Sequence, residues 1–346
     1  MLDLPRESSV GLVIGATMAG FVALAAARSA VIGRFEYDFE RDGLQCAPFV
    51  LIYLCDDTHV SNLAALRHLG FGKANIVHLS SDANGLMDAN LLQVALAENE
   101  GPKIIIATAG HIRSGGFEDF ERLAQLAQLH NAWLHVDRLW SLGARPARKE
   151  HLTVGLELAD SWSVDGHKWL QIPNDSGFAI VKDVDAHKRA MDITAGYLNQ
   201  SEDDGRNPTE FNPELSHRAR GFAAWAVIRA LGKSGVRDLV ASHCRSARWV
   251  ADEITAIPGL EVAGVVELNQ VIVTVSDDSA DPGHATRLLA EELNNTHAVF
   301  VRTAIWKGRI VLRLSFIANG TDERHTKNLA RSIRAVWTEV RKKLEA

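Results

Sequence analysis

The sequence predicts an α/β protein with a mostly parallel sheet, followed by a smaller α+β region. Three observations predict this fold class. Short apolar runs alternate with longer amphipathic segments through the first half of the chain, which is typical of parallel strands joined by right-handed helical crossovers. Several runs are continuously β-branched or aromatic, as expected of strands buried on both faces. After about Asp183 the pattern changes to long helical segments, and then to strands and helices in the order strand–strand–helix–strand–strand–helix.

The elements follow in chain order. Seven strands are predicted in the first region: Gly11–Ile14, Phe49–Cys55, Asn75–Leu79, Lys103–Thr108, Ala132–Asp137, Ser161–Asp165 and Gly177–Val181. Apolar residues at helical spacing predict an amphipathic helix over Phe117–His130. The polar stretch Asn199–Pro213 predicts a mobile loop. The later elements are helices near Glu214–Leu231 and Gly235–Ile257, and strands near Gln270–Val275, Val299–Thr303 and Ile310–Leu314. We therefore predict a large domain over 1–235 and a small C-terminal domain over 236–346.

Composition narrows the function classes. The formal net charge of −6 argues against a general nucleic-acid surface, because neutralising phosphates requires a basic excess on some face. The three cysteines form no CxxC pair, which predicts neither a metal site nor a disulfide framework and favours a cytoplasmic location. The segment Ser8–Ala27 is twenty uncharged residues long, but its glycines and hydroxyls leave it only weakly apolar. We interpret it as a strand, a glycine turn and a helix, not as a membrane span.

Polar residues follow several of the predicted strands. Lys168 comes just after a buried strand, between His167 and Trp169; taken alone, it could be a lysine that extends to solvent from a strand end. Asp137 ends another predicted strand and Thr108 a third. In open α/β sheets ligands bind beyond the carboxyl ends of the strands. Gly15-Ala-Thr17 lies between the first strand and its helix, where free N–H groups suit a phosphate.

These segments resemble the group II pyridoxal-phosphate-dependent amino acid decarboxylases, the family of aromatic amino acid, tyrosine and glutamate decarboxylases, and bacterial members most closely. The resemblance covers essentially the whole chain in order. It implies the type I (aspartate aminotransferase-like) fold, a homodimer and an amino-acid substrate. The matching segments are Gly15-Ala-Thr-Met-Ala19, Thr108-Ala-Gly110, Gly115-Gly-Phe117, His135-Val-Asp137, Asp160-Ser-Trp162, His167-Lys-Trp-Leu170, Asp175-Ser-Gly177, Pro213–Arg220, Leu268-Asn-Gln270 and Trp306-Lys-Gly-Arg309.

The resemblance also implies roles for residues that would act on the reacting part of pyridoxal 5′-phosphate. Lys168 would form the Schiff base with the cofactor aldehyde. Asp137 would pair with the pyridine nitrogen and keep it protonated. His59 would stack on the ring, although alone it could be a helix-cap neighbour. Thr108 would make a polar contact near the ring.

Three further residues would contact the phosphate. Ala16 and Thr17 would hold it through a backbone N–H and a hydroxyl. His167 would contact the phosphate or assist proton transfer, although alone it could be a core histidine with satisfied hydrogen bonds.

The sequence departs from the family pattern near the cofactor. The family's long N-terminal segment, which wraps the partner subunit, is not present before the phosphate loop, so we expect a truncated or minimal variant. Arg138 and Leu139 stand where small residues pack against the ring, and Leu139 is expected to crowd the cofactor. Gly20 stands where relatives have asparagine. Further departures are His111, Asn174 in place of a common tyrosine, and His217 in place of an arginine.

The predicted loop carries no tyrosine, whereas in aromatic decarboxylases a loop tyrosine protonates the carbanion. Phe211 is a candidate for that position, and a phenylalanine there favours an aldehyde-forming, oxygen-consuming outcome. The leading hypothesis is nevertheless decarboxylation of an L-amino acid. The alternatives are aldehyde synthesis or transamination on the same scaffold, and a non-catalytic family member.

Overall fold

The computed structural model describes residues 2–82, 84–112, 114–137, 150–193, 205–276 and 279–345. By their internal contacts these residues form two compact units. The larger comprises Met1–Gly110 and Phe117–Val236, and the smaller comprises His111–Gly116 and Arg237–Ala346. The sequence predicts a boundary after residue 235 and does not separate the 111–116 segment from the large domain, so the exact domain division stays a prediction.

The larger unit is built on a seven-stranded, mostly parallel sheet, which confirms the predicted fold class. Its strands are β1 (Ser9–Val13), β2 (Leu51–Cys55), β3 (Ile76–Leu79), β4 (Lys103–Thr108), β5 (Trp133–Asp137), β6 (Ser161–Asp165) and β7 (Gly177–Val181). Their order in the sheet is β1-β7-β6-β5-β4-β2-β3. The strands from β3 to β6 are parallel, whereas β7 runs antiparallel to both β6 and β1. All seven strands coincide with predicted runs to within two residues.

Helices cover both faces of this sheet. They are α1 (Ala16–Gly33), α2 (Phe39–Asp42), α3 (Val60–His68), α4 (Ala89–Ala97), α5 (Phe120–Leu129) and α6 (Val184–Met191). Helix α1 packs on the sheet and against α3 and α6, and alanines make up much of its buried surface. Small side chains let the helix approach the strands closely, and its burial on the sheet explains why it has no charged residue before Arg28. Within the described residues, α1 is also the helix whose length and composition would suffice to cross a membrane.

The smaller unit has an antiparallel sheet of order β10-β11-β9-β8. Its elements, with the helix α7 that contains the unit boundary, are α7 (Arg220–Thr255), β8 (Leu260–Ala263), β9 (Gln270–Val275), α8 (Pro282–Asn295), β10 (Arg302–Trp306), β11 (Arg309–Ser315) and α9 (Glu323–Glu345). Apolar residues of α8 and α9 form one core with the sheet.

The predicted helices Glu214–Leu231 and Gly235–Ile257 correspond to the two helical parts of α7, which a non-helical backbone at Gly232 separates at the predicted break. The first part begins at Arg220, six residues later than predicted. One predicted strand of this part was placed wrongly. The strand predicted at Val299–Thr303 is β10, which begins three residues later. Lys307 and Gly308 both have positive φ and form a two-residue turn that pairs Trp306 with Arg309. This turn fixes the register of the hairpin, so it decides where β10 lies.

Candidate active site

The carboxyl ends of β2, β4, β5 and β6 meet at one edge of the large sheet, because these strands are parallel. Strand β1 ends at the same edge, since Val13 pairs with Gly177 and Gly177 pairs with Asp165. The sheet therefore brings the segments that follow these five strands together at one edge. All of the predicted site residues lie at this edge or in the turns that follow it.

Lys168 lies in a turn of residues 166–170 directly after β6. Gly166 lets this turn pack tightly, because a Cβ there would lie 2.6 Å from Ser176 Oγ and 2.8 Å from the ring of Phe178. Trp169 and Leu170 are buried and anchor the far end of the turn. The lysine side chain is 31% exposed, so it stands at the surface of a cavity and not in the core.

A cavity of about 330 Å³ joins Lys168 to the beginning of α1. Its lining includes Ala16, Thr17, His167 and Lys168, four of the predicted site residues, together with Ile14, Gly15, Met18, Ser61 and Asp165. Lys168 Nζ forms an ion pair with Asp165 Oδ2. The other oxygen of Asp165 accepts a hydrogen bond of 2.6 Å from the backbone N–H of Ala16. The cavity therefore contains an amine, a carboxylate and a helix N-terminus in contact with one another.

The ring of His167 directs its Nε2 atom towards the carboxylate of Asp165. Its Nδ1 accepts a hydrogen bond of 3.2 Å from the backbone N–H of Ser176. Because Nδ1 is an acceptor, the ring proton belongs on Nε2, which lies 3.6 Å from Asp165 Oδ1. The backbone N–H of Ser176, just before β7, thus sets both the orientation and the tautomer of His167.

Asp137 is buried at the end of β5, with 1% of its surface exposed. Asn62 Nδ2, on α3, donates to Asp137 Oδ2 over 2.8 Å, and Ser163 Oγ, on β6, donates to Oδ1 over 2.6 Å. Both carboxylate oxygens are therefore held by neutral donors. These two hydrogen bonds fix the direction of the carboxylate.

Further buried polar side chains lie along β5 and β6, next to Asp137. The hydroxyl of Ser161 accepts from Trp133 Nε1 over 2.8 Å and lies 2.9 Å from Nδ1 of His135. Burial lowers the pKa of His135 to about 4, so the imidazole is neutral at pH 7. Alternation along the strands puts Ser161, Ser163 and Asp165 on the same face as Asp137.

The two remaining predicted residues, Thr108 and His59, lie at the end of β4 and after the neighbouring strand β2. Thr108 is buried at the end of β4, where it pairs in register with Asp137. His59 is the N-cap of α3, and its Nδ1 accepts from the backbone N–H of Ser61 over 3.2 Å. The helix-cap interpretation of His59 is therefore the contact that the structure shows, while the stacking role stays a prediction.

The structure changes one interpretation of the departures, that of Phe211. Phe211 is buried, with its ring against His187 and under the guanidinium of Arg206, and a Cβ on Gly11 of β1 would collide with its carbonyl oxygen. These contacts make Phe211 a packing residue, so they give no support to its interpretation as a counterpart of the loop tyrosine. Arg138, Leu139 and the 199–204 part of the predicted loop lie outside the described residues.

Sequence reasoning missed three residues of the site: Asn62, Ser163 and Asp165. Each had a weak signal. Asn62 is a polar residue on the buried side of α3, and Ser163 and Asp165 are two of the three alternating polar positions of β6. A Cβ on Gly20 would lie 3.6 Å from Asn62 Oδ1, so the departure at Gly20 is next to an asparagine of the neighbouring helix.

Comparisons with known proteins bear on this geometry. Residues 1–275 match the family model described as the pyridoxal-dependent decarboxylase conserved domain. Tryptophan decarboxylase 1 of Oryza sativa subsp. japonica is 28% identical over 371 residues, covering 98% of this chain and 71% of the relative. The acidic amino acid decarboxylase of Homo sapiens is 29% identical over 242 residues, covering 67% of this chain. The chain spans 46% of the length of that human relative.

Solved structures agree with the fold. The crystal structure of Oryza sativa TDC with PLP and tryptamine matches with a TM-score of 0.88 at 25% identity, covering 98% of this chain and 73% of that chain. The 4-hydroxyphenylacetaldehyde synthase of Rhodiola rosea has the same fold, with a TM-score of 0.85 at 22% identity over 98% of this chain and 72% of that chain. Since the family model covers well over half of the sequence, the chain belongs to the pyridoxal-dependent decarboxylases, a family of carboxy-lyases whose cofactor is pyridoxal 5′-phosphate.

Proposed function

We propose that this chain decarboxylates an L-amino acid, with pyridoxal phosphate bound to the amine of Lys168. One observation carries the proposal: Lys168, His167 and the N-terminus of α1 line one cavity, at the sheet edge where buried Asp137 is held through both oxygens. Family membership supports the reaction class. The chain spans only part of its relatives' length, so the activity of this chain is part of the proposal.

The residues of the cavity fit the cofactor. A Cβ on Gly15 would lie 3.0 Å from His167 Cε1, so the glycine leaves room beside the helix N-terminus where a side chain would fill it. The N–H groups of α1 and the Thr17 hydroxyl are suited to a phosphate. The amine of Lys168 is suited to an aldehyde, and the Asp137 carboxylate to a protonated ring nitrogen. The carboxylate of Asp165 lies in the same cavity, beside Lys168 and the N–H of Ala16.

Bound pyridoxal phosphate would supply a ring that accepts the electron pair released when the carboxylate leaves as carbon dioxide. Asp137 would hold a proton at the ring nitrogen, because Asn62 and Ser163 fix the position of its carboxylate. His167 carries its proton on Nε2, facing the cavity, where it can donate to a phosphate or to a reacting atom. Lys168 would hold the cofactor and release it to the incoming amino group.

The substrate is proposed only as an amino acid. The relatives are named for tryptophan, tyrosine, aromatic and acidic amino acids, so their names do not select one class for this chain. A homodimer and a cytoplasmic location likewise remain predictions.

The test of the cofactor site is the visible absorbance spectrum of the purified chain with added pyridoxal phosphate. We expect a Schiff-base band in the parent and none in Lys168→Ala. Lys182→Ala is the matched control: Lys182 is exposed and follows β7 at the opposite edge of the sheet, so its removal should leave the band unchanged. A folded parent without a band would overturn the proposal and favour a non-catalytic member.

Product analysis tests the reaction. Incubation with single amino acids should give an amine and carbon dioxide in equal amounts. An aldehyde with ammonia and consumption of oxygen would replace decarboxylation by aldehyde synthesis. A keto acid would replace it by transamination.

A further inference from the structure

The carboxylate of Asp165 is seated at the N-terminus of α1. It is the last residue of β6, its side chain is 10% exposed, and its Oδ1 accepts the 2.6 Å hydrogen bond from Ala16 N–H. The same carboxylate pairs with Lys168 Nζ and lies 3.6 Å from His167 Nε2. One anion therefore contacts three of the groups that the proposed function assigns to the cofactor.

The helix itself explains why an anion is held there. Its N-cap is Gly15, which has no side chain to accept from the first N–H groups, and its first turn contains no acidic residue. An 18-residue helix with free N–H groups and a positive dipole end attracts a negative group. Asp165 supplies that group from the neighbouring strand, so it caps α1 across a tertiary contact.

A phosphate at this helix end would meet an occupied position. The Ala16 N–H that would hold the phosphate already donates to Asp165, and two anions cannot share one donor without repulsion. The carboxylate must turn away or remain close to the phosphate, and either course costs binding energy. Release of Lys168 from its ion pair adds a cost that does not depend on the phosphate.

We propose that Asp165 is a built-in competitor for the phosphate of the cofactor. It lowers the affinity of the chain for pyridoxal phosphate. It therefore also reduces the factor by which the chain binds pyridoxal phosphate more tightly than unphosphorylated pyridoxal. This inference rests on the proposed function, because it assumes that the cavity binds pyridoxal phosphate. It makes Asp165 a residue that sets cofactor affinity.

The experiment measures equilibrium binding of pyridoxal phosphate and of pyridoxal to the parent and to Asp165→Asn. Asparagine keeps an oxygen that can accept from Ala16 N–H but removes the charge. Release of Lys168 affects both ligands alike, so the ratio of their two dissociation constants isolates the phosphate. We expect this ratio to shift toward pyridoxal phosphate by about tenfold or more. Inorganic phosphate should also compete with pyridoxal phosphate more strongly in the variant.

Asp183→Asn is the matched control. Asp183 caps α6 through Ala186 N–H at the opposite edge of the sheet, so its substitution changes a helix cap but should leave the ratio unchanged. Asp165→Ser is a second variant, should the asparagine variant not fold. An unchanged or reversed ratio in the variant that folds, while the parent binds pyridoxal phosphate, overturns the inference. If neither parent nor variant binds either ligand, the proposed function itself fails.

Discussion

Buried polar side chains at the carboxyl edge of the larger sheet differ in their partners from Thr286 and Asn269 of the smaller unit. In the smaller unit, Thr286 donates to the carbonyl of Pro282, and Asn269 donates to that of Phe316. At the carboxyl edge of the larger sheet, Asn62 and Ser163 donate to the carboxylate of Asp137. Contacts with the backbone secure turns and strand ends, whereas contacts between side chains hold a charged group in a fixed direction. We take the second arrangement as the mark of the functional region.

Substitution of Asp137 is the strongest test of this comparison. In Asp137→Asn one oxygen becomes an NH₂ group that faces the NH₂ of Asn62 or the hydroxyl of Ser163, so one hydrogen bond to the side chain is lost. We expect kcat/KM for decarboxylation to fall by about a hundredfold or more, and the free energy of unfolding to fall by about 1–3 kcal/mol.

Asp160→Asn provides the control for Asp137. Asp160 accepts from Leu134 N–H at the opposite edge of the same sheet, and asparagine can keep that bond. Activity should therefore remain at the parent level. Equal losses of activity in both variants would contradict the assignment of function to one edge.

The core of the smaller unit should affect stability alone. Trp337 is buried among apolar residues of α9 and the sheet, and its Nε1 donates to the carbonyl of Pro258 over 2.9 Å. Trp337→Ala should lower the free energy of unfolding in urea by about 3–5 kcal/mol. Trp225→Ala removes a tryptophan that is 66% exposed, so its effect should stay within about 0.5 kcal/mol. Loss of the Schiff-base band in folded Trp337→Ala would contradict the expectation that this core affects stability alone.

A buried histidine of the larger unit should make stability depend on pH. His187 Nε2 donates to the carbonyl of Phe211, its Nδ1 lies 2.8 Å from Ser9 Oγ, and burial lowers its pKa to about 4. The unfolded chain binds this proton near pH 6.5, so the contribution of neutral His187 is complete above 6.5. It is lost as the pH falls from 6.5 to about 4, by about 3 kcal/mol in total.

Urea unfolding of the parent and of His187→Gln at pH 7.5 and pH 5 measures this contribution. Glutamine cannot take up the proton, so stability should fall less between the two pH values in the variant. The same pH dependence in both proteins would show that His187 is not the group responsible. His135, whose pKa burial also lowers to about 4, should remain as a second source of acid sensitivity in the variant.

Much of the frame was predictable from local pattern. Runs of mostly apolar residues identified most strands of the large sheet, because strands buried on both faces are largely apolar. Strand β6 instead alternates polar and apolar residues. Polar residues after those runs pointed to Lys168, Asp137 and the α1 N-terminus, since parallel strands end at a common edge. Strand β10 was predicted three residues too early, because the register of its hairpin with β11 depends on the conformation of Lys307 and Gly308.

What the sequence determined by itself is therefore the family, the strands and the edge at which the site lies. The tertiary structure alone decided which groups contact one another there. Asn62 and Asp137 are 75 residues apart, and Ala16 and Asp165 are 149 apart, so no local period links them. Such pairs form only when packing of α1 and α3 on the sheet brings them within hydrogen-bond distance, and a buried polar group must then find a partner there.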